Sequence, residues 1–333
     1  MADISNSLDA SIHYRSEWNQ KCALPFTINK DPHSLLRREI TISVGNIEFK
    51  GYEIQMPDKS SSSLHSETKA KAFDSLIWCA WPDNVVKPCV DFNTDYQQIK
   101  VFNKDVIQPR KTLCYGVSYH YSGTTHKLEE SIPDSISTLL DLTKRMYKTN
   151  LNPICLANAY TTCHHCIHAH SDDEKQMDRI KDVICFVTGA TRRLVLTNNS
   201  KPRSIVLDVS LPEGLYIMRG STFQKNYKHE IPREYESAFK HFCSVIPHNE
   251  ETEDDDEVKD NKVKDDESED EVKDTPKKKE MTALQKADYL HLHADEVMSK
   301  LDDIKVRGNK DLKVIFKEWN QCRVSYTIRF FKA

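Results

Sequence analysis

The sequence predicts an α+β, mainly β fold with a β-sandwich or jelly-roll core, and three observations support this. First, short apolar runs separated by turn residues recur after one amphipathic helix, as they do in antiparallel sheet folds. Second, 38% of the 333 residues are hydrophobic, which is enough to form a substantial core. Third, a last predicted strand at 322–331 lies beyond a long charged insert, so the insert interrupts a domain instead of separating two.

The N-terminal extension, residues 1–65, is expected to contain a β-hairpin. Apolar residues alternate over 38–54 on both sides of Gly45-Asn46, a dipeptide typical of turns. A short helix is expected near 67–79, at the start of the core domain, which we predict to span 66–245. The remaining predicted core elements are β structure over 83–121 with a tight turn at 101–104, an amphipathic helix over 135–150, and strands at 154–160, 183–188, 191–197, 204–210 and 214–219.

A strongly acidic insert, residues 246–281, follows the core. Its segment 250–274 holds 15 acidic residues and four lysines, a charge of −11, so with a net charge of −4 the rest of the chain carries +7. With almost no apolar residues this segment cannot offset the entropy of ordering, and we expect it to be disordered. A helical insert, 282–315, is predicted to carry a helix over 282–301, and residues 316–333 are predicted to form the final core strand.

Composition argues against several classes of protein. Glycine accounts for only 8 residues, so neither a Gly-rich dinucleotide fingerprint nor a phosphate-binding loop can be assembled. No stretch approaches the roughly 18 consecutive apolar residues of a membrane span. Ten cysteines are too few for a disulfide-stapled secreted domain, and no apolar leader follows Met1. We therefore expect a protein of the nucleus or cytoplasm, neither secreted nor membrane-bound. We also expect it to be a monomer.

The segment 163–174 is rich in groups that bind metals. His170 and Asp172 are two positions apart, and side chains at that spacing point to the same face of a strand. His229 could supply a third ligand if the fold brings it back to this strand. Two histidines and one carboxylate leave coordination positions open on Fe(II), which is what the binding of O2 together with a co-substrate requires.

A zinc site is the alternative for this segment. Cys163 and Cys166 form a Cys-x-x-Cys pair, with His164, His165 and His168 nearby. Structural zinc sites usually combine two such pairs, and no second pair lies at the usual spacing. Inert buried cysteines and adventitious metal capture by the histidines are further alternatives.

The final predicted strand places two arginines on one face. Arg323 and Arg329 are six positions apart, an even spacing, and Ser325 and Thr327 share their face. Two guanidinium groups directed into one cavity need anions, and a dicarboxylic acid meets this demand because arginine pairs with carboxylate in a bidentate fork. Two arginines on an exposed strand face are the alternative.

Nine short sequence blocks occur along the chain. They are Gln108-Pro109-Arg110-Lys111, Tyr115-Gly116, Tyr119-His120-Tyr121-Ser122-Gly123, Leu156-Ala157-Asn158-Ala159-Tyr160, His170-Ser171-Asp172-Asp173-Glu174, Gly189-Ala190-Thr191-Arg192, Met218-Arg219-Gly220, His229-Glu230-Ile231-Pro232 and a terminal Arg-x-x-x-Thr-x-Arg. In this order they resemble the AlkB-like 2-oxoglutarate/Fe(II)-dependent dioxygenases, which demethylate nucleobases. The resemblance covers roughly residues 73–232 and 322–332.

The resemblance implies a jelly-roll (double-stranded β-helix) oxygenase core with supporting helices and an N-terminal extension. It implies Fe(II), 2-oxoglutarate and O2 as cofactor and co-substrates. His170, Asp172 and His229 would bind the iron and form the catalytic site. Arg323 would pair with the distal carboxylate of 2-oxoglutarate, and Arg329 would lie near its metal-chelating end. The full set implied for 2-oxoglutarate is Asn158, Tyr160, Arg323, Thr327 and Arg329.

The same resemblance implies a nucleic-acid substrate. An aromatic ring would stack on a flipped base, and Asp173 would read the exocyclic edge of that base. The turn around Phe102 matches one that, in duplex-acting relatives, inserts an apolar side chain into the base stack, and an ordinary hairpin tip is the alternative. The full set implied for the substrate is Phe102, Asn103, Lys104, Tyr119, His120, Tyr121 and Asp173.

The activity expected from the resemblance is oxidative demethylation of N1-methyladenine and N3-methylcytosine in DNA or RNA, with release of formaldehyde, as in the repair of alkylation damage. Two alternatives stay open: an oxygenase of the same fold that acts on a protein or regulates RNA modification, and a nucleic-acid binder without catalytic activity. The chain departs from the family pattern because Arg323 follows His229 by 94 positions. The acidic segment between them is expected to be a solvated spacer or a shield over a basic groove.

Overall fold

The computed structural model describes residues 8–57, 74–101, 104–116, 119–121, 124–126, 128–172, 180, 182–247, 281–301 and 311–331. The acidic insert predicted at 246–281 lies almost wholly outside these residues. Phe102, Asn103 and Asp173 of the predicted substrate set also lie outside them.

Strands dominate the described part of the chain. The strands are β1 (Ile12–Tyr14), β2 (Thr27–Lys30), β3 (Arg37–Val44), β4 (Ile47–Gln55), β5 (Ser75–Cys79), β6 (Gln98–Val101), β7 (Lys104–Ile107), β8 (Lys111–Tyr115), β9 (Tyr119–Tyr121), β10 (Thr124–His126), β11 (Pro153–Tyr160), β12 (Ile167–His170), β13 (Val183–Gly189), β14 (Arg192–Asn198), β15 (Lys201–Leu211), β16 (Gly214–Arg219), β17 (Tyr227–Ile231) and β18 (Arg323–Phe330). The helices are α1 (Asp134–Met146), α2 (Phe223–Asn226), α3 (Glu236–Cys243), α4 (Ala283–Leu292), α5 (Ala294–Lys300) and α6 (Leu312–Trp319).

Two antiparallel sheets form the predicted jelly roll. The large sheet has nine strands in the order β1-β3-β4-β5-β16-β13-β18-β11-β8, and the small sheet has five in the order β12-β17-β14-β15-β2. From β11 onward the chain crosses between the sheets: β11, β13, β16 and β18 lie in the large sheet, and β12, β14, β15 and β17 lie in the small one. This is the strand arrangement of a double-stranded β-helix, so the fold class predicted from the sequence is confirmed.

The core between the sheets follows from the alternation of side chains along each strand. On β11, Ile154, Leu156 and Tyr160 belong to the cluster shared by both sheets, whereas Cys155 and Ala157 belong to the cluster on the other face. That other face of the large sheet packs against α1. The buried side chains of α1 fall on one side of the helix, as the amphipathic pattern over 135–150 predicts.

The predicted N-terminal hairpin forms and is part of the large sheet. β3 and β4 pair in continuous register from Arg37↔Ile54 to Val44↔Ile47. Gly45 in the turn has a φ of +63°, a conformation that glycine adopts without steric cost. β4 continues into the sheet by pairing with β5, and β2 pairs with β15 of the small sheet. The N-terminal extension therefore adds strands to both sheets.

The prediction of a helix near 67–79 is wrong for the residues of this range that the structure describes as regular secondary structure. Residues Ser75–Cys79 form β5, and all five are buried. β5 pairs with β4 on one side and β16 on the other, within the large sheet. A strand covered on both faces carries a continuous apolar run, which lacks the alternation that distinguishes a strand from a buried helix. Residues 67–73 lie outside the described part of the chain.

Helices α3 to α6 share a third apolar cluster, which also includes Cys163. The helix predicted over 282–301 is two helices, α4 and α5, because His293 has non-helical dihedral angles, with φ −108° and ψ 31°. α6 runs across the predicted boundary at 315/316 between the helical insert and the final strand, and β18 begins only at Arg323. The N–H of Cys163 donates to the carbonyl oxygen of Trp319 at 2.8 Å, so this helical layer supports the loop that leads into β12. Among the residues described, no helix is long and apolar enough to cross a membrane.

Candidate metal centre

The three residues predicted to bind iron lie together at the edge of the small sheet. His170 ends β12 directly opposite His229 of β17, and Asp172 follows two residues later. Asp172 Oδ1 lies 3.6 Å from His170 Nε2, and Asp172 Oδ2 lies 3.7 Å from His229 Nε2. One ligand atom from each residue lies within 4.8 Å of the others, and no other group of three or more His, Cys, Asp or Glu side chains in the described ranges does so.

The donor atoms of this cluster fit a divalent transition metal. Asp172 Oδ2 is buried, has no hydrogen-bond partner in the described part of the chain and lies 3.7 Å from His229 Nε2. His170 Nδ1 lies 2.9 Å from the carbonyl oxygen of His168 and donates its proton there, which leaves a lone pair on Nε2. Two imidazole nitrogens and one carboxylate are the donor set that holds non-haem Fe(II) with open coordination positions.

The protonation states of the cluster suit metal binding. Burial lowers the pKa of His170, and burial, His170 and Arg329 lower that of His229 to about 3. Burial alone would raise the pKa of Asp172, but Arg329, His229 and His170 hold this pKa below its ordinary value. At neutral pH both imidazoles are neutral and the carboxylate is ionised, as metal ligands must be.

The cluster opens onto a cavity in which about 530 Å³, adjoining open solvent included, is free of protein atoms. Four residues predicted to bind 2-oxoglutarate line this cavity: Asn158 and Tyr160 from β11, and Thr327 and Arg329 from β18. β11 and β18 pair with each other in the large sheet, and the metal cluster lies on the small sheet. The predicted metal ligands and the predicted 2-oxoglutarate residues therefore face the same cavity from opposite sheets.

Arg329 connects the co-substrate side of the cavity to the metal cluster. Its Nη2 donates to Asp172 Oδ1 at 2.6 Å, and both side chains are buried. A charge-assisted hydrogen bond of this kind fixes the carboxylate and offsets part of its desolvation. Oδ1 is thereby engaged, and Oδ2 faces His229.

Arg110 lines the cavity, although it is not among the predicted site residues. Only 5% of its surface is exposed, and its Nε donates to Asn158 Oδ1 at 2.8 Å. With Oδ1 engaged, the NH2 group of Asn158 is the part of the amide that can donate to an anion. The sequence signal for Arg110 was its place in one of the nine blocks, directly before β8.

Arg323 is buried near the cavity but is not among the residues that line it. Its Nη1 donates to the carbonyl oxygens of Leu211 at 2.9 Å and Ala190 at 3.3 Å. Its Nε and Nη2 have no hydrogen-bond partner within the described residues. Burial lowers the pKa of Arg323, and the phenols of Tyr216 and Tyr160, which do line the cavity, oppose this effect. Two buried donor atoms thus keep the capacity to bind a carboxylate.

The predicted substrate residues are only partly described. Lys104 is exposed at the start of β7 and pairs with Val101 of β6, whereas residues 102 and 103 of the predicted turn lie outside the described part of the chain. Tyr119, His120 and Tyr121 form β9, which pairs with β10. The role of each of these residues stays a prediction.

The cysteine pair does not converge on a common site. Cys163 Sγ lies 3.9 Å from Glu234 Oε2, and Cys166 Sγ lies 4.0 Å from His168 Nε2. These groups belong to no cluster of three potential ligands within the described ranges. The zinc alternative therefore finds no support in the geometry of these side chains.

Two of three comparisons with known proteins find a match. The solved structure of OsALKBH1 is similar at 18% identity and a TM-score of 0.28, and the similarity covers 38% of this chain and 66%, just under two thirds, of that one. This similarity is too low to indicate a shared substrate. No curated protein matches the chain. A family model described as the 2OG-Fe(II) oxygenase superfamily matches residues 92–329, so the chain belongs to this superfamily, whose members use Fe(II), 2-oxoglutarate and O2, as predicted.

Proposed function

We propose that the protein is an AlkB-like nucleic-acid demethylase that oxidises the methyl group of N1-methyladenine or N3-methylcytosine in DNA or RNA. The observation that carries the proposal is that the His-Asp-His cluster and four of the predicted 2-oxoglutarate residues line one cavity. Together with Arg110, these residues come from five of the nine blocks that resemble the AlkB-like family. A substrate of the class used by that family is therefore the first to test.

In the proposed reaction, His170, Asp172 and His229 hold Fe(II), and Arg329 and Asn158 orient 2-oxoglutarate beside it. The bound iron supplies the chemistry by which one oxygen atom of O2 oxidises 2-oxoglutarate to succinate and CO2 while the other hydroxylates the methyl group. The N-hydroxymethyl base then releases formaldehyde: the N–C bond breaks, its electron pair stays on the ring nitrogen, and the hydroxyl proton leaves to solvent, which restores the neutral base.

Charge favours the dicarboxylate co-substrate in this cavity. Arg110 and Arg329 both line it, and the buried Arg323 adds a third guanidinium nearby. Asp172 neutralises Arg329 in part, so at least one cation in excess faces the space. An excess of buried positive charge is stabilised by an anion, and 2-oxoglutarate carries two carboxylates.

One hairpin that precedes β8 in the chain has features suited to nucleic acid. The β6–β7 and β9–β10 hairpins contact each other; one precedes and the other follows β8 along the chain, and β8 begins directly after the cavity residue Arg110. On the β6–β7 hairpin, Lys104 is exposed, Val106 is 42% exposed and Ile107 is 45% exposed. Exposed apolar side chains beside a cation suit contact with unstacked bases and phosphates. This supports a nucleic acid as the source of the methyl group.

A panel of single-lesion oligonucleotides tests the proposal. DNA and RNA strands, single and double, would each carry one N1-methyladenine, N3-methylcytosine, N6-methyladenine or 5-methylcytosine and be incubated with the protein, Fe(II), 2-oxoglutarate and O2. Digestion and mass spectrometry then quantify each methylated nucleoside. We expect loss of N1-methyladenine or N3-methylcytosine in at least one context and no loss with Asp172→Asn. Persistence of every methylated nucleoside, with turnover of a methylated peptide instead, would overturn the proposal in favour of a protein-acting oxygenase.

A further inference from the structure

Asp172 is held by a side chain outside the metal cluster, and we propose that this side chain, Gln224, is a positioning residue for the metal ligand. The N–H of Asp172 donates to Gln224 Oε1 at 2.9 Å. Both residues are buried, with 1% and 6% of their surfaces exposed. Gln224 lies outside the nine sequence blocks. The inference rests on the assignment of the metal site and does not depend on the nucleic-acid substrate.

The backbone of Asp172 needs such a partner because it lies beyond the paired part of β12. The last pair between β12 and β17 is His170↔His229, so the sheet provides no ladder hydrogen bond at position 172. A buried backbone N–H without a partner is costly, and a ligand on a loosely held backbone must be ordered when the metal binds. The Gln224 amide oxygen supplies the missing acceptor.

Gln224 is itself fixed by the anchoring of α2. The carboxylate of Asp74 accepts from Thr222 Oγ1 at 2.8 Å and from Asn226 Nδ2 at 2.9 Å; Thr222 immediately precedes this short helix and Asn226 is its last residue. Gln224 Nε2 lies 3.9 Å from Met218 Sδ, which orients the other end of the amide. The acceptor oxygen is therefore held in place before a metal arrives.

The contact also sets the separation between two metal ligands. α2 leads directly into β17, which carries His229. A second hydrogen bond runs from the Ser171 side chain to the same segment, with Oγ donating to the carbonyl oxygen of Tyr227 at 3.0 Å. The chain at Asp172 is thus tied, at two adjacent residues, to the segment that immediately precedes His229. Loss of the Gln224 contact would loosen Asp172 relative to both histidines.

Metal binding to three variants tests this role without catalytic turnover. Gln224→Met keeps the length of the side chain but removes the amide acceptor, and Gln224→Glu keeps an oxygen acceptor at the same position. Lys225→Met places the same new side chain on the exposed neighbouring residue of α2 and is the matched control. Calorimetric titration of the metal-free full chain with Co(II) gives the affinity, and the visible spectrum of bound Co(II) reports the ligand geometry.

We expect Gln224→Met to bind Co(II) about 10–100-fold more weakly than the wild type, the range found when a partner of a metal ligand is lost, and to alter the visible spectrum. Gln224→Glu should stay within about threefold of the wild type, and Lys225→Met should not change. Equal affinities of wild type and Gln224→Met would overturn the proposal, as would equal losses in Gln224→Met and Gln224→Glu. Because no methylated substrate enters the measurement, either failure leaves the proposed demethylation untouched.

Discussion

Arg329 and Asp172 form a buried ion pair in which Nη2 of the arginine donates to Oδ1 of the aspartate at 2.6 Å. The pair joins β18 of the large sheet to the chain two positions beyond the end of β12 in the small sheet. The other carboxylate oxygen, Oδ2, has no hydrogen-bond partner in the described part of the chain and lies 3.7 Å from His229 Nε2. One oxygen of Asp172 therefore serves the arginine, and the other is available to a metal.

Replacing Asp172 with asparagine should abolish the decarboxylation of 2-oxoglutarate. The amide keeps an oxygen that can accept from Arg329 but loses the negative charge that holds a divalent metal. We expect succinate formation to fall by at least about 100-fold. Asp208→Asn is the matched control because it also alters a buried carboxylate paired with an arginine, and it should remain active. Wild-type rates in Asp172→Asn would contradict the metal assignment.

Arg323→Met should impair use of the dicarboxylate co-substrate. If Nε and Nη2 of Arg323 pair with the distal carboxylate, the loss is about 2–5 kcal/mol, so the KM for 2-oxoglutarate should rise at least about 30-fold. The 2-oxo acid 2-oxobutyrate lacks the distal carboxylate, and any turnover of it should not change. Steady-state kinetics with both acids measure this preference. Equal losses with both acids would show that Arg323 only supports the fold.

His164→Phe should make the protein less sensitive to acid. The ring of His164 stacks on Phe239 at a centroid distance of 4.1 Å, and neither ring nitrogen has a hydrogen-bond partner among the described residues. Burial, with a contribution from Arg233, lowers the pKa of His164 to about 4. Between the unfolded pKa of about 6.5 and this value, only the unfolded chain takes up the proton, so the free energy of unfolding falls as the pH falls.

The unfolded variant has no imidazole at position 164 to take up this proton. Its free energy of unfolding minus that of the wild type should therefore be larger at pH 5 than at pH 7. Urea unfolding at both pH values measures the difference. His165→Phe is the contrasting variant, because His165 Nε2 shares a 2.7 Å hydrogen bond with the hydroxyl of Tyr96. We expect it to be destabilised by about 1–3 kcal/mol already at pH 7. Parallel pH profiles for wild type and His164→Phe would rule out the assigned role of His164.

Deleting the acidic segment 250–274 should strengthen binding to oligonucleotides. Its charge is −11 and the rest of the chain carries +7, so deletion increases the attraction to phosphates and steepens the dependence of affinity on salt. Titrations at low and physiological salt measure the change, which should shrink as the Debye length falls below about 10 Å. A Gly-Ser segment of equal length is the control for chain connectivity and should behave like the deletion. Unchanged affinity at every salt concentration would leave the segment as a spacer.

The face on which a strand residue lies could be predicted from the sequence. Asn158 and Tyr160 are two positions apart, as are Thr327 and Arg329, and an even spacing fixes a shared face whatever the strand packs against. The structure places all four in one cavity. The exception is Arg323, which has the right face but lies buried against the carbonyl oxygens of Ala190 and Leu211. Even spacing predicts the face of the strand on which a side chain lies, but not whether that side chain reaches the cavity.

Contacts between distant elements could not be predicted in this way. Arg110 and Asn158 are 48 positions apart, and Asp172 and Gln224 are 52 apart. Each contact depends on strand order and register, which arise from the packing of the whole sandwich. β5 could not be identified as a strand for a related reason, since burial on both faces removes the alternating pattern.

The coupling between methyl oxidation and co-substrate consumption is the sharpest test of the proposed function. Formaldehyde and succinate would be measured together while the wild-type protein turns over with an oligonucleotide that carries N1-methyladenine or N3-methylcytosine. We expect about one formaldehyde for each succinate, and faster succinate formation than with the unmethylated strand, because methyl hydroxylation consumes the second oxygen atom of O2. Equal rates of succinate formation with the methylated and unmethylated strands, and no formaldehyde from any strand, would contradict the assignment of this cavity to nucleobase demethylation.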